Sequence, residues 1–514
     1  MKDLEKKILN RFQNLTKRFE TGFEKESLRV SKECISTKPH PRSIGSALTN
    51  RYITTDFSEA QLELVTPPFK NSMQAHDFLD NIHHFVSHEI DQDILWPFSM
   101  PPDIQSQEAI PIAKYGESNL AKFKELYRKG LASRYGKVMQ AISGFHFNYS
   151  ISKNFWSKGF ERELDVDIDF KDFRSKLYFN LIRNISRNNW LIIYLFGASP
   201  IVAKGFLDDS QMEFDISSDG SFYLPYATSL RMSRFGYQNK KRKNLKVSLN
   251  NITDYISDLK KATSTPYPEF SDIDVNSKGS MQQLNDNILQ IDDEYYAVVR
   301  AKSEIPTDER LSLKLQRGGV DFVEYRSLDL NPFSKVGIDE NAIYFLEVLL
   351  TDCFIRQKGN IDSDEIKSIE YNDEIVAIKG RRKDLKIISK NKKIKLAEHG
   401  NMIIDKLLPI ASLLDDEESR HSKSLEHAKH LIFNPEETPS ARILDEIITK
   451  RISMMELGER LGKENKDYYL QKDKSLNQHW DLLEKEAKIS FDKQFAIESN
   501  NATSFETYLS QYFK

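Results

Sequence analysis

The sequence predicts an α+β fold, and three observations predict it. Short runs rich in β-branched and aromatic residues recur between residues 23 and 330. Apolar residues at helical spacing mark residues 72–90, and helical patterns dominate from about residue 400 to the end. At 514 residues the chain holds roughly three domain-equivalents at ~150 residues each, or one large body with appendages. No internal repeat and no sharp boundary divides it, so residues 1–514 are expected to form one unit, with 400–514 a mainly helical C-terminal portion.

Taken in order, the first 25 residues or so read as a helix feeding a strand through FEKESLRV. A strand has period two, so Glu24 and Glu26 point to one side and Phe23, Lys25 and Ser27 to the other. A short strand over 60–65 sets Gln61, Glu63 and Val65 opposite Leu62 and Leu64. From 72 to 90, Phe78, Leu79, Ile82, Phe85, Val86 and Ile90 form a helical stripe, leaving His83, His84 and His88 on its outer flank. Residues 263–287, rich in Ser, Pro, Asp and Asn, read as a long surface loop. Strands follow at 288–300 and 319–330, the second with Phe322, Glu324, Arg326 and Leu328 on one face, and residues 361–398 read as short β-like runs.

Composition narrows the function classes. Hydrophobic residues make up 39% and charged residues 29%, with 20 Gly and 17 Pro, which excludes collagen-like, low-complexity and wholly disordered chains. The formal charge of −3 gives no whole-chain field suited to nucleic acid. Two isolated cysteines, Cys34 and Cys353, make neither a disulfide framework nor a zinc module, which suits a reducing cytoplasm. The charged, amphipathic N-terminus has no signal-peptide h-region, so no export is expected. The uncharged run NNWLIIYLFGASPIVA is short for a membrane span and broken by Gly197 and Pro200, so buried core is expected and no membrane association.

The acidic residues carry the chemistry. Glu24, Glu26, Asp56 and Glu63 lie within 40 residues of one another on apolar or β-forming segments, and Glu324 stands on a distant strand beside Arg326. If these segments meet, the crowded carboxylates need a counter-charge, and magnesium or manganese suits oxygen ligands while clamping nucleotide phosphates. Taken alone, Glu24 and Glu26 are weak evidence for a metal and read more readily as a solvated strand face. His146, between Phe145 and Phe147, reads from its own stretch as a hydrogen-bonded core histidine. Arg231 and Arg326 are ordinary ion-pair partners or grips for a carboxylate or phosphate. The His84/His88 pair has no third ligand, and the basic runs at 239–246 and 381–395 lack interleaved aromatics, so neither is read as a metal or nucleic-acid site. Neither GxxxxGK[ST] nor GxGxxG occurs, so any ATP is held through metals and scattered side chains.

Ten motifs in order, among them FEKESLRV, GSALTNRYITTDFSEAQLELVTP, RYGKVMQAISGFHFNYS, YLPYATSLRMS, RGGVDFVEYRSLDLNPFSKVGID and NPEETPSARIL, resemble the proteobacterial type of glutamate–cysteine ligase from near residue 20 to near residue 445. The resemblance implies ATP-dependent joining of the L-glutamate γ-carboxylate to the L-cysteine amine, the first step of glutathione synthesis. It implies a curved, mainly antiparallel sheet forming a glutamine-synthetase-like active-site funnel flanked by helices. It also implies magnesium ions, with manganese as a substitute, held by Glu24, Glu26, Asp56, Glu63, His146 and Glu324. These include the five carboxylates that the charge argument singles out. By the same resemblance Arg326 acts on the transferred phosphoryl group and Arg231 anchors a substrate α-carboxylate, both as catalytic residues. Phe57, Tyr127, Leu131, Gln140, Tyr237 and Tyr296 resemble the cysteine pocket. The family default is a monomer with small-molecule substrates. Phe98, Phe145 and Phe147 depart from common family residues, which touches pocket shape rather than chemistry. Another amine acceptor, an inactive amino-acid or nucleotide sensor, and a nucleic-acid binder remain the competing readings.

Overall fold

The structure, a computed structural model, describes residues 2–15, 18–31, 34–156, 169–207, 213–236, 245–275, 281–305 and 309–514. Its strands are β1 (Phe19–Ser31), β2 (Cys34–Ile35), β3 (Ile53–Thr55), β4 (Gln61–Val65), β5 (Ile94–Leu95), β6 (Phe145–Ile151), β7 (Ile201–Val202), β8 (Asp215–Ile216), β9 (Phe222–Tyr223), β10 (Val299–Lys302), β11 (Phe322–Leu328), β12 (Lys386–Ser389) and β13 (Lys392–Lys395). The main sheet has eight strands, all antiparallel, in the order β10-β11-β6-β1-β4-β3, with β2 and β5 also paired to β1.

Alternation along these strands sorts the side chains. Phe23, Leu62, Leu64, Phe145, Phe147, Tyr149, Val323 and Tyr325 fall on one face and are buried in one core with the helices Ser72–Glu89, Phe170–Phe196 and Glu340–Ile355. Phe23 packs on Phe145 and Phe147 with ring centroids 5.4 and 5.3 Å apart. Each such ring removed from water contributes roughly 1.5–3 kcal/mol, so this face anchors the sheet. Two polar hooks fix the helices to it: Tyr149 Oη lies 2.8 Å from Thr351 Oγ1, and Tyr325 Oη donates to Asn189 Oδ1 at 2.6 Å. The opposite face carries Glu24, Glu26, Glu63, His146, Glu324 and Arg326.

Helix starts follow from capping side chains. Asn71, Ser118, Asp169 and Asp339 accept backbone N–H groups at the first turns of Ser72–Glu89, Asn119–Tyr135, Phe170–Phe196 and Glu340–Ile355. The run NNWLIIYLFGASPIVA forms the end of Phe170–Phe196 and β7 and is almost wholly buried. Among the described residues no helix is long and apolar enough to cross a membrane, and both cysteines are free.

Four local expectations need correcting. Residues 263–287 contain the helix Pro268–Val275, and the buried Arg134 holds the segment through Gln283 Oε1 and Asn287 O, each at 3.0 Å from one of its nitrogens. In 288–300 only the end is a strand, because Asp292 accepts Ser312 N–H at 2.8 Å and Glu294 accepts Gln290 N–H at 2.7 Å, closing a turn over Asp292–Glu294. In 361–398, Asp362 caps the helix Ser363–Lys379 and only the β12–β13 hairpin is extended. His83 and His84 are buried rather than on an outer flank, because the helix Met454–Gln471 covers them: Tyr469 stacks on both rings, and His84 Nε2 lies 3.1 Å from Lys472 O.

From Leu396 the elements are helical, and they return to the N-terminal half. Ser490 Oγ accepts Ser46 N–H at 2.8 Å, and Glu486 pairs with Arg51 at 2.9 Å. Tyr512, on the last helix, packs 4.5 Å from Phe123 on the helix Asn119–Tyr135. The chain's end therefore braces a helix that lines the site. The basic run at 381–395 forms a turn and the exposed hairpin, and residues 239–244 of the other run lie outside the described residues.

Candidate active site

Register between strands far apart in sequence builds the charged face. In the β1–β6 pair Glu24 is opposite His146, in β1–β4 Glu26 is opposite Glu63, and in β10–β11 Arg300 is opposite Glu324. Asp56 follows β3, its backbone held by N–H to Gln61 O at 3.0 Å, by Tyr115 Oη to its carbonyl at 2.9 Å, and by Arg128 Nε. These residues open onto one cleft of about 240 Å³.

His146 stands at the centre of the carboxylates. Its Nδ1 lies 3.4 Å from Glu24 Oε2 and 3.3 Å from Glu324 Oε1, and its Nε2 lies 3.5 Å from Glu26 Oε1. Glu24, His146 and Glu324 each offer one ligand atom, all within 4.8 Å of one another. Asn148 Nδ2 donates to Glu24 Oε1 at 2.7 Å and Gly144 N–H to Glu26 Oε2 at 2.7 Å, so the carboxylates are oriented in advance. Glu324, though buried, is tied to Lys302 Nζ at 2.8 Å and to Arg326 Nη1.

The electrostatics divide the cluster. Burial pushes the Glu63 carboxyl well above its ordinary range, reinforced by Glu24, Asp56 and Glu26. Burial also raises Glu26, with His146 pulling the other way. Burial would raise Glu324 too, but Lys302, Arg326 and His146 hold it well below the usual range. Glu24 ends lowered, burial being outweighed chiefly by its hydrogen bond to His146. Lys302 and Arg326 thus neutralise Glu324 at one end of the cleft, whereas Glu63 stands among Glu24, Asp56 and Glu26. Carboxylate oxygens with a single imidazole suit a hard divalent ion such as magnesium or manganese.

The rest of the cleft is built for a polar ligand beside apolar walls. Phe57, Tyr127, Leu131, Gln140 and Tyr296 line it together with Arg231 and Arg326. Tyr127 and Leu131 are one helical turn apart on Asn119–Tyr135, so they share a face. The buried Nε2 of Gln140 and Nε of Arg326 have no hydrogen-bond partner among the described residues, leaving two donors for a bound molecule. Tyr237 lies outside the described residues.

The family model for glutamate-cysteine ligase matches residues 5–376. The chain belongs to the glutamate–cysteine ligase family. It is 38% identical to a glutamate–cysteine ligase of Alcanivorax borkumensis over 96% of this chain and 95% of that protein. A second, from Shewanella pealeana, is 38% identical over 97% and 96%. Among solved structures, the glutamate–cysteine ligase of Francisella tularensis in complex with AMP is similar with a TM-score of 0.89 and 32% identity, covering 96% of this chain and 97% of that one. A bifunctional glutathione synthetase from Pasteurella multocida aligns with a TM-score of 0.71 and 25% identity over 91% of this chain and 55% of that one.

Sequence reasoning missed several residues of this glutamate–cysteine ligase cleft. Arg128, Met139, Ile142, Asp293, Arg300 and Lys302 also line it. A signal existed for two of them: Arg300 and Lys302 flank Ala301, and period two on β10 puts both on the face opposite the buried Ala301. Arg128 adjoins Tyr127, but which neighbours on a helix face a cleft depends on the packing of that helix.

Proposed function

We propose that the chain, acting as one unit over residues 1–514 and as a monomer in the cytoplasm, ligates the γ-carboxylate of L-glutamate to the amine of L-cysteine with ATP, yielding γ-glutamylcysteine, ADP and phosphate. The observation that carries this reading is the junction, in one cleft, of the Glu24–His146–Glu324 cluster with Arg326 and with a pocket walled by Phe57, Tyr127, Leu131, Gln140 and Tyr296. Family membership supports it. Glu24, Glu26, Asp56, Glu63, His146 and Glu324 would hold magnesium, or manganese in its place. Bound there, the metal supplies neutralisation of phosphate charge, the main requirement of phosphoryl transfer.

A carboxylate is a poor acyl donor, so the γ-carboxylate is first phosphorylated by ATP, and the cysteine amine then displaces phosphate from the acyl phosphate. Arg326, half held by Glu324 and with Nε unpartnered among the described residues, neutralises the transferred group. Arg231 grips a substrate α-carboxylate, and Gln140 Nε2 offers a directional donor beside the apolar walls that receive the thiol side chain. Tyr237 is proposed as a further wall of that pocket. No nucleic acid or membrane takes part. The test is ADP release with ATP, magnesium and L-glutamate, with and without L-cysteine, and product identification by mass. Cysteine-dependent γ-glutamylcysteine is the expected result; turnover only with another amine reassigns the pocket, and no turnover with any amine refutes the reading.

A further inference from the structure

We infer that Asp329 is a positioning residue that aims the Arg231 guanidinium into the cleft, an inference that rests on Arg231 being the anchor of a substrate α-carboxylate. Asp329 directly follows β11, three residues after Arg326, and is 4% exposed. Its Oδ2 accepts Ala198 N–H at 2.8 Å, and its Oδ1 lies 3.6 Å from Arg231 Nη1. The Ser229 and Ser199 hydroxyls stand beside the same carboxylate. Asp329 therefore joins three segments: the end of β11, the Ala198–Ser199 turn after the helix Phe170–Phe196, and the short turn Leu230–Met232 that carries Arg231.

The guanidinium is held from two further sides. Its Nη2 donates to Arg326 O at 2.9 Å, and a Cβ at position 144 would lie 2.3 Å from Nη2, so glycine there leaves the room that the group occupies. Arginine grips a carboxylate through two parallel hydrogen bonds, which demand a fixed planar orientation from a side chain with large rotamer freedom. A carboxylate near Nη1, a carbonyl bonded to Nη2 and the Gly144 backbone close to Nη2 restrict that freedom. Arg231 lines the cleft and Asp329 does not, so Asp329 acts through Arg231.

The test is steady-state kinetics of Asp329→Asn, Asp329→Ser and Arg231→Lys beside the parent. Asp329→Asn keeps the shape and an acceptor for Ala198 N–H but loses the charge. It is expected to raise the KM of one amino-acid substrate about tenfold, with the KM of ATP unchanged and kcat altered less than about threefold. Arg231→Lys should raise the same KM. A folded Asp329→Asn enzyme with both amino-acid KM values unchanged, while Arg231→Lys raises one, overturns the positioning role and leaves the anchor standing. Both KM values unchanged in Arg231→Lys overturns the anchor, and the inference with it. Should Asp329→Asn not fold, Asp329→Ser removes the charge in a smaller side chain. The same KM rise supports the inference, and an unchanged KM in the folded variant overturns it.

Discussion

Glu26 of β1 and Glu63 of β4 stand directly opposite each other across an antiparallel pair, and burial raises the pKa of both carboxyls. Like charges in that position oppose folding unless a cation lies between them. Magnesium or manganese is therefore expected to raise the melting temperature, since saturation at about 100 times Kd adds ~2.7 kcal/mol of stability. Glu63→Gln should lose most of that metal-dependent shift and lower turnover by at least about 100-fold. Thermal melts with and without metal, read beside ADP release, check both; full activity of the variant at saturating magnesium would sink the ligand assignment.

Arg326→Met removes the cation that pairs with Glu324 and faces the cleft. The expected loss is in kcat, about 100- to 1,000-fold, the usual consequence of deleting one donor from a developing anion. A change confined to KM would show a binding role instead.

Gln140→Leu fills the same volume without the Nε2 donor, which has no partner among the described residues. The KM of cysteine should rise about tenfold and discrimination between cysteine and 2-aminobutyrate should change, with the KM of ATP unaffected. Parallel kinetics with both acceptors decide this.

Asp373 lies on the helix Ser363–Lys379, buried, and accepts from Asn189 Nδ2 at 2.7 Å. Burial pushes its carboxyl up to about 8. The folded protein then keeps a proton that the unfolded chain releases near its ordinary value, so this contribution is complete at low pH and is lost as pH rises through about 8. Unfolding free energies measured from pH 5 to pH 7.5 should fall with a slope approaching ~1.4 kcal/mol per unit for this group. Asp373→Asn should flatten that slope, and an identical pH dependence in the two proteins would refute the assignment.

Particular elements explain what was legible. Period two put Glu24 with Glu26 and Glu324 with Arg326, and the helical stripe from Phe78 to Ile90 marked a real helix. The same reasoning misassigned 361–379, where the acidic cap Asp362 and a polar helix outweighed the Ile and Lys content, and 263–287, where Arg134 from another segment holds the chain. His83 reads as an outer-flank residue because the elements that bury it, β1 with Lys25 Nζ 3.0 Å from its Nε2 and the distant Met454–Gln471 helix, leave no mark on the local pattern.

The sequence by itself determined which side chains share a face of one strand or helix, because backbone geometry repeats every two or 3.6 residues regardless of what packs nearby. It also carried the motifs that identify the family. Only the tertiary structure decided which faces meet: that His146 sits among Glu24, Glu26 and Glu324, that Lys302 reaches Glu324, and that Asp329 backs Arg231. Those contacts depend on hydrogen-bond register and helix docking between segments as far apart in sequence as His146 and Glu324, for which no local periodicity carries a signal.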